Sequence, residues 1–390
     1  MKVLLLGVGM QGSVALDDLM RSVAVAEVVA ADQDLDALRA RVRTMGYGER
    51  LRCEQLDAAD QASLDRLFAL GPDVAIDLLP VDFIPAVAEC AIRHGVHLVN
   101  TFYVPESLRA LAPAAEAAGV AILPEFGMDP GIDLVLLGET VRAMDEVYEI
   151  HSYGGGIPAP EASDNAIRYK ISWTFEGVLR SYYHPGKLIR QGQEVRLKAN
   201  ELFAPANVHE IEVDGLGTME AFANGDAVQY CEPLGIDVST LRAAGRYSLR
   251  WPGHCAFWKK LVDLHLLDNE PVIVGDQSVD RQAYLVAALE PYLRYEGDEP
   301  DLGIIRLDVV GRLDGVDCTV THLVVDRRNP ETGFTAMGRL VGFTASIGAQ
   351  MLATGDISGK GVLSPVRAVP HARFLAELER RGVEVTTLEH

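Results

Sequence analysis

The run Gly7-Val8-Gly9-Met10-Gln11-Gly12 is the first place where residue types and spacing could do chemistry. Glycine at its first position allows a tight turn, and at the second it lets a pyrophosphate approach the backbone. At the third it lets a helix pack closely on the preceding strand. Met10 and Gln11 would open that helix, whose free N–H groups favour an anion. The pattern alone is weak in a chain with 36 glycines, but here it follows the apolar run Val3–Leu6 and leads into the amphipathic run Ser13–Val23. Asp32 ends "EVVAAD" about twenty residues later, where a carboxylate accepts hydrogen bonds from the ribose hydroxyls and repels a 2′-phosphate. No arginine follows it immediately, so the spacing predicts NAD rather than NADP. Asp57 is a candidate for the adenine side. Leu79, Pro80, Asn100 and Thr101, at the ends of the next strands, are expected beside the cofactor.

Further along, Asp129 lies in "EFGMDPGID", just past the sixth expected strand and so on the carboxyl edge where such sheets bind ligands. It could hold a substrate ammonium or take part in proton transfer, or it could cap a helix before Pro130. Glu125 shares that edge. Tyr103, after "LVNTF", could face a nicotinamide, donate a proton, or simply pack. The sequence contains no H-E-x-x-H, no clustered Cys/His spacing and no G-x-S-x-G, so neither a metal nor a nucleophilic mechanism is expected.

These residues need a scaffold that brings strand ends together. Val3–Leu6, "EVVAAD", "LRCEQLD", "DVAIDLLP", "HLVNTF" and "VAILPEF" read as strands. Between them lie the helical patterns Ser13–Val23, 34–45, "AVAECAIRHG" and "ESLRALAPAAEAAG". Such alternation predicts an α/β fold with a Rossmann-type parallel sheet. After about residue 140 the segments shorten and show period-two character, as in "EVRLKA", "VHEIEV" and "RYSLRW". Residues 304–326 read as a hairpin turning at Leu313–Gly315. The expectation is a Rossmann domain over 1–140, completed by 335–390, and a second α+β domain over 141–334 with a largely antiparallel sheet.

The bulk numbers narrow the function. With 35 basic and 56 acidic residues the net charge is −21, which disfavours nucleic acid and anionic membrane as partners. The five cysteines are dispersed and no apolar run is long enough to span a bilayer, so a cytoplasmic protein is expected. The closing Leu-Glu-His triplet looks like a tag junction and is given no role.

Beyond the nucleotide motif, "EFGMDPGID" (125–133), "YGGGIPAPEASDNAIRYKISWTFEGVL" (153–179) and "SLRWPGHCAFWKKLVDLHLLD" (248–268) resemble the saccharopine dehydrogenase family, chiefly its glutamate-forming reductases. The tail from Thr335 is also similar to lysine 6-dehydrogenases. The resemblance implies NAD(P)-dependent hydride transfer at the C–N bond of an amino acid, with imine hydrolysis or its reverse. It also implies a small amino-acid substrate held between two domains, and a homodimer formed through the second. In the long second motif it marks Gly156 for close backbone approach and Asp164 and Asn165 for a substrate amine or carboxylate. Arg168 and Lys170 are marked for a carboxylate. Two departures point away from saccharopine itself: Asp32 where a basic residue is usual, and Gly225 in "NGDA" where the reductases carry an arginine that binds a carboxylate. L-Lysine 6-dehydrogenase is the alternative. A non-catalytic NAD-sensing protein is the alternative of another class.

Overall fold

In the computed structural model, which describes residues 1–43 and 45–390, the strands expected near the N-terminus form, all short and, apart from the edge strand over 51–55, largely buried. They are β1 (Lys2–Leu6), β2 (Glu27–Asp32), β3 (Leu51–Gln55), β4 (Val74–Asp77), β5 (His97–Asn100) and β6 (Ala121–Leu123). All pair in parallel in the order β6-β5-β4-β1-β2-β3, and Gly361–Val362 adds a short edge beyond β6. The order reverses between β1 and β4, the switch point at which open parallel sheets hold ligands.

Four helices follow from local signals. They are α1 (Met10–Arg21), α2 (Leu35–Arg43), α3 (Gln61–Phe68) and α4 (Ile84–His94). Of the helix expected over 34–45, Thr44 lies outside the described residues. The sequence reading passed over α3, although Asp60 caps it by accepting from the Ala62 N–H at 3.1 Å and Leu64, Leu67 and Phe68 form its buried stripe. Gly95, at φ +68°, closes α4 in the left-handed conformation. The single helix expected over 106–119 divides into Glu106–Arg109 and Ala112–Ala117, because Pro113 is tolerated only in a first turn.

The chain divides into two units, Met1–Glu139 with Gly338–Glu384, and Thr140–Met337 with Val385–His390. In the first unit the helix Ala336–Thr354 packs on α1, where a Cβ on Gly342 would stand 2.7 Å from the Gln11 carbonyl oxygen. The helix His371–Arg380 leads into Arg381, whose guanidinium grips Asp18 of α1 through two bonds of 2.7 and 2.9 Å. Ser346 donates to the same carboxylate at 2.6 Å, so residues 328 and 363 positions away complete the N-terminal helix layer.

The second unit is a mixed sheet in the order 208–213, 217–223, 243–250, β7 (Glu146–Pro158), 301–313, 316–327, 386–389. Every neighbour along this path is antiparallel except 243–250 against β7. The expected hairpin is present and turns at Asp314–Gly315, whose φ values of +51° and +78° suit a tight primed turn. The helices Phe175–Tyr182, His254–Asp263 and Arg281–Leu293 bury Tyr182, Trp258 and Leu285 in one apolar cluster. One boundary differs from expectation. Thr386–Glu389 pairs with 316–327 instead of returning to the first unit, so Leu388 and Glu389, expected to have no role, belong to a sheet.

Candidate functional site

The glycine-rich turn is built as its spacing requires, and each glycine has a different reason. Gly7 sits at φ +85°, and a Cβ there would lie 2.9 Å from the Leu78 carbonyl oxygen. A Cβ on Gly12 would lie 2.1 Å from the Gly7 carbonyl oxygen, so α1 approaches β1 only because that side chain is missing. A Cβ on Gly9 would meet nothing within 4 Å. Packing therefore does not explain Gly9, and the space beside it is free for a phosphate group. Met10 is exposed and Gln11 half-buried at the start of α1, whose first turn carries no acidic residue to compete with an anion.

Asp32 is half-buried and accepts from the Val8 N–H at 2.8 Å and the Asp34 N–H at 3.2 Å, fastening the end of β2 to the glycine turn. Capping of α2 falls to Asp34, which accepts from Ala37 N–H at 2.9 Å. Gln33, Asp34, Leu35, Asp36 and Gln55 line an open concavity of about 610 Å³ beside Asp32. Three carboxylates thus stand on alternate positions of 32–36. Arg41 is not among the residues expected at the site. Its Nη1 donates to the carbonyls of Val8 and Gly9 at 2.8 Å each and to Ser13 Oγ at 2.6 Å, closing over the turn from α2. Asp57 is exposed and accepts from Ala59 N–H at 3.0 Å, the geometry of a turn former.

At the ends of β4 and β5 the expected cofactor residues separate by role. Leu79 is buried, with its side chain 3.3 Å from the Cβ position of Gly7, and Pro80 is exposed at the same strand end. Asn100, by contrast, faces inward, 1% exposed. It donates to Asp77 at 3.0 Å and accepts from Phe102 N–H at 2.8 Å, so its amide is consumed as a brace beneath the edge. Asp77 is fully buried and also accepts from Leu79 N–H at 3.1 Å; burial pushes its carboxyl up to about 7 despite those two donors. Thr101 is half-buried against Gly127.

Beyond β6 the chain folds into a tight loop. Gly127 N–H bonds the Pro130 carbonyl at 2.9 Å, and a Cβ on Gly131 would collide with Gly127 at 2.0 Å. Asp133 Oδ1 takes the Gly131 N–H at 2.9 Å at the start of the following helix, while Asp129 remains half-buried on the loop. Glu125 is 3% exposed at φ +56°, and its N–H bonds the Phe102 carbonyl at 3.1 Å. Tyr103 is half-buried with its hydroxyl out of solvent. Topology therefore gathers the glycine turn, Leu79, Pro80, Thr101, Tyr103, Glu125 and Asp129 at the carboxyl edge of one sheet.

In the second unit several expected roles change. Gly156 packs: a Cβ there would strike Met337 Cε at 2.3 Å and Ser172 Oγ at 2.7 Å. Asn165 folds its own loop, donating to the Tyr169 carbonyl at 2.6 Å and accepting from Tyr169 N–H at 3.1 Å. Lys170 is 4% exposed and clamped by both oxygens of Glu299 at 2.6 Å, with Asp164 at 3.1 Å, so internal carboxylates already neutralise it. Arg168 is exposed and stacks over Trp251 at 5.2 Å. Of this group, no side chain presents an uncommitted buried charge.

That feature belongs to Arg250, which the sequence reading did not single out. It is 7% exposed and lies against Tyr169, Tyr182 and Phe222, 5.2–5.8 Å from their ring centres. Its Nε donates to Tyr182 Oη at 3.1 Å and its Nη1 to the Leu249 carbonyl at 2.8 Å; among the described residues no carboxylate pairs with it. Tyr182 bonds His254 Nε2 at 2.8 Å. Burial, helped by Arg250, pushes the His254 pKa well down, so the ring beside the tyrosine is neutral. Tyr295, within electrostatic reach of Arg250, has a buried hydroxyl without a hydrogen-bond partner among the described residues. The available signal was periodicity: Arg246, Ser248 and Arg250 are polar at alternate positions of one strand, and all three are buried.

Comparison with known proteins agrees with this architecture. Residues 3–123 match the family profile described as saccharopine dehydrogenase NADP binding domain, and residues 127–383 match the saccharopine dehydrogenase C-terminal domain. The mitochondrial alpha-aminoadipic semialdehyde synthase of Bos taurus is 26% identical over 99% of this chain and 47% of its own length. The chain thus spans about half of that relative. The NADP(+)-dependent, L-glutamate-forming saccharopine dehydrogenase of Saccharomyces cerevisiae is 27% identical over 97% of this chain and 96% of its own. A solved apo structure of the L-Glu-forming saccharopine dehydrogenase from Saccharomyces cerevisiae superposes with a TM-score of 0.84 at 25% identity, covering 99% of each chain. The names of the profile and of the fungal enzyme carry NADP, against the NAD expected from Asp32. On the two profiles, which together span nearly the whole sequence, the chain belongs to the saccharopine dehydrogenase family of oxidoreductases.

Proposed function

We propose that the protein is an NAD-dependent dehydrogenase acting on the C–N bond of an amino acid, with a saccharopine-like secondary amine as the first substrate class. Arg250 carries the amino-acid assignment. A buried guanidinium with donors to spare and, among the described residues, no counter-charge is stabilised by a carboxylate brought in by the substrate. The buried Tyr295 hydroxyl offers a further donor nearby.

The preference for NAD rests on Asp32, Asp34 and Asp36, which would repel a 2′-phosphate, and on Arg41, whose Nη1 is bound to the turn's own carbonyls. A dinucleotide held by the glycine turn, Leu79 and Pro80 supplies the hydride acceptor or donor. The chain's own residues orient the amine and manage its proton, which must leave before the carbon can be oxidised. Asp129 and Tyr103 are the proposed proton-handling groups, and the resulting imine is hydrolysed by water. Deprotonation of the amine makes oxidation faster at alkaline pH.

L-Lysine as substrate has one observation in its favour. Gly225, where the reductases carry a carboxylate-binding arginine, is at φ +76°, a conformation that disfavours a side chain, so a substrate with fewer carboxylates fits that loop. The expected homodimer is part of the same proposal. The test is NADH and NADPH formation at alkaline pH with saccharopine and L-lysine in parallel, alongside sedimentation of the purified chain. Turnover with NADP but not NAD would refute the cofactor reading. Failure of both amino acids, with NAD bound, would refute the substrate reading.

A further inference from the structure

The sequence shows no H-E-x-x-H and no C-x-x-C pair, but the fold assembles one group of donors from separate helices. Cys90 and His94 are four residues apart on α4 and therefore share a face, and α3 brings Asp65 against it. Asp65 Oδ1 lies 3.3 Å from Cys90 Sγ and 3.0 Å from His94 Nε2, and all three ligand atoms fall within 4.8 Å of one another. Tetrahedral bonds of roughly 2.0–2.3 Å would separate neighbouring ligands by about 3.3–3.8 Å, so the donors already stand close to the spacing of one face of a tetrahedron. Cys90 is buried, whereas the side chains of His94 and Asp65 are 27% and 38% exposed, which leaves the fourth direction to water.

We propose that Asp65, Cys90 and His94 form a binding site for a thiophilic divalent transition-metal ion of the zinc class. Arg93 donates to the same Asp65 oxygen at 2.8 Å. It must swing away when metal binds, and its exposed position beside Glu89 permits this. Coordination deprotonates the Cys90 thiol and releases a proton. His94 stands three residues before β5, at the amino edge of the sheet, whereas the glycine turn follows β1 at the carboxyl edge. The site is thus separate from the dinucleotide edge, and its occupancy steadies the α3–α4 pair without taking part in catalysis.

Co2+ titration of the reduced, full-length protein tests this. The expected result is one Co2+ per chain, a near-UV thiolate charge-transfer band with visible tetrahedral bands, and release of about one proton per metal. Cys90→Ser abolishes the thiolate band, and Cys318→Ser leaves it intact. His94→Gln and Asp65→Asn, at an exposed and a half-buried position, weaken Co2+ binding by at least about tenfold. Zn2+ should displace the Co2+ signal, and dinucleotide binding should be unaffected. Absence of a thiolate band, or a band that survives in Cys90→Ser, would overturn the proposal.

Discussion

Asp77 offers a pH dependence whose size follows from its position. The carboxyl has no solvent contact, and burial lifts it from an ordinary 3.8 to about 7. Because the folded-state value lies above the unfolded one, the stability that protonated Asp77 contributes is complete below the unfolded value. It is lost as pH rises toward 7, then stays constant above it. A gap of about three pH units at 1.36 kcal/mol each makes the full loss on the order of 4 kcal/mol. Asp77→Asn removes this dependence. The variant also brings an amide NH2 against the Asn100 NH2, which costs about 1–3 kcal/mol at every pH. Wild type should therefore be the more stable protein near pH 5. Its advantage should shrink by about 2.5 kcal/mol by about pH 8 and then level off. Urea unfolding of both proteins across that range, followed by a probe in the first unit, measures the difference. If the difference stays flat from acid to alkaline pH, Asp77 is ionised throughout and the argument from burial fails.

Other outcomes separate the roles of neighbouring residues. Gly12→Ala should prevent folding of the first unit, because its Cβ meets the Gly7 carbonyl. Gly9→Ala should leave the melting temperature unchanged while weakening NADH binding in a fluorescence titration; equal effects of the two would contradict the assignment. Arg250→Met should retain NADH binding and fold while raising KM for the amino acid at least about tenfold, as loss of a charge-assisted hydrogen bond of about 1.5–3 kcal/mol requires. Unchanged KM would place the carboxylate elsewhere. Arg381→Ala should lower stability by about 3–5 kcal/mol in denaturant unfolding by stranding the buried Asp18 carboxylate, whereas an exposed pair such as Arg180–Glu176 should show less than about 1 kcal/mol.

What the sequence made legible was the part governed by short-range rules. Short strands of three to six residues, a glycine turn between strand and helix, and an Asp-Gly hairpin each have a local cause, and each was found where the spacing placed it. Side-chain commitments were not legible, because they depend on partners far along the chain. Lys170 reads as a free cation until Glu299, 129 residues away, is folded against it. Asn100 reads as a ligand contact until Asp77 turns it inward. Arg250 shows in the sequence only as one of three polar residues alternating along a strand; the folded neighbourhood alone reveals that, among the described residues, no carboxylate pairs with its buried charge.

The interleaving of the two units has a consequence for biosynthesis. A growing chain emerges with β1 to β6 first, but Asp18 waits for Arg381 and the edge beyond β6 waits for Gly361–Val362. The sheet that holds the dinucleotide must therefore remain unfinished while the entire intervening unit is synthesised, and that unit in turn acquires its outer strand only from residues 386–389. Neither unit can be excised as one continuous segment, and on the ribosome both must keep apolar surface sheltered until residues 361–389 have been synthesised.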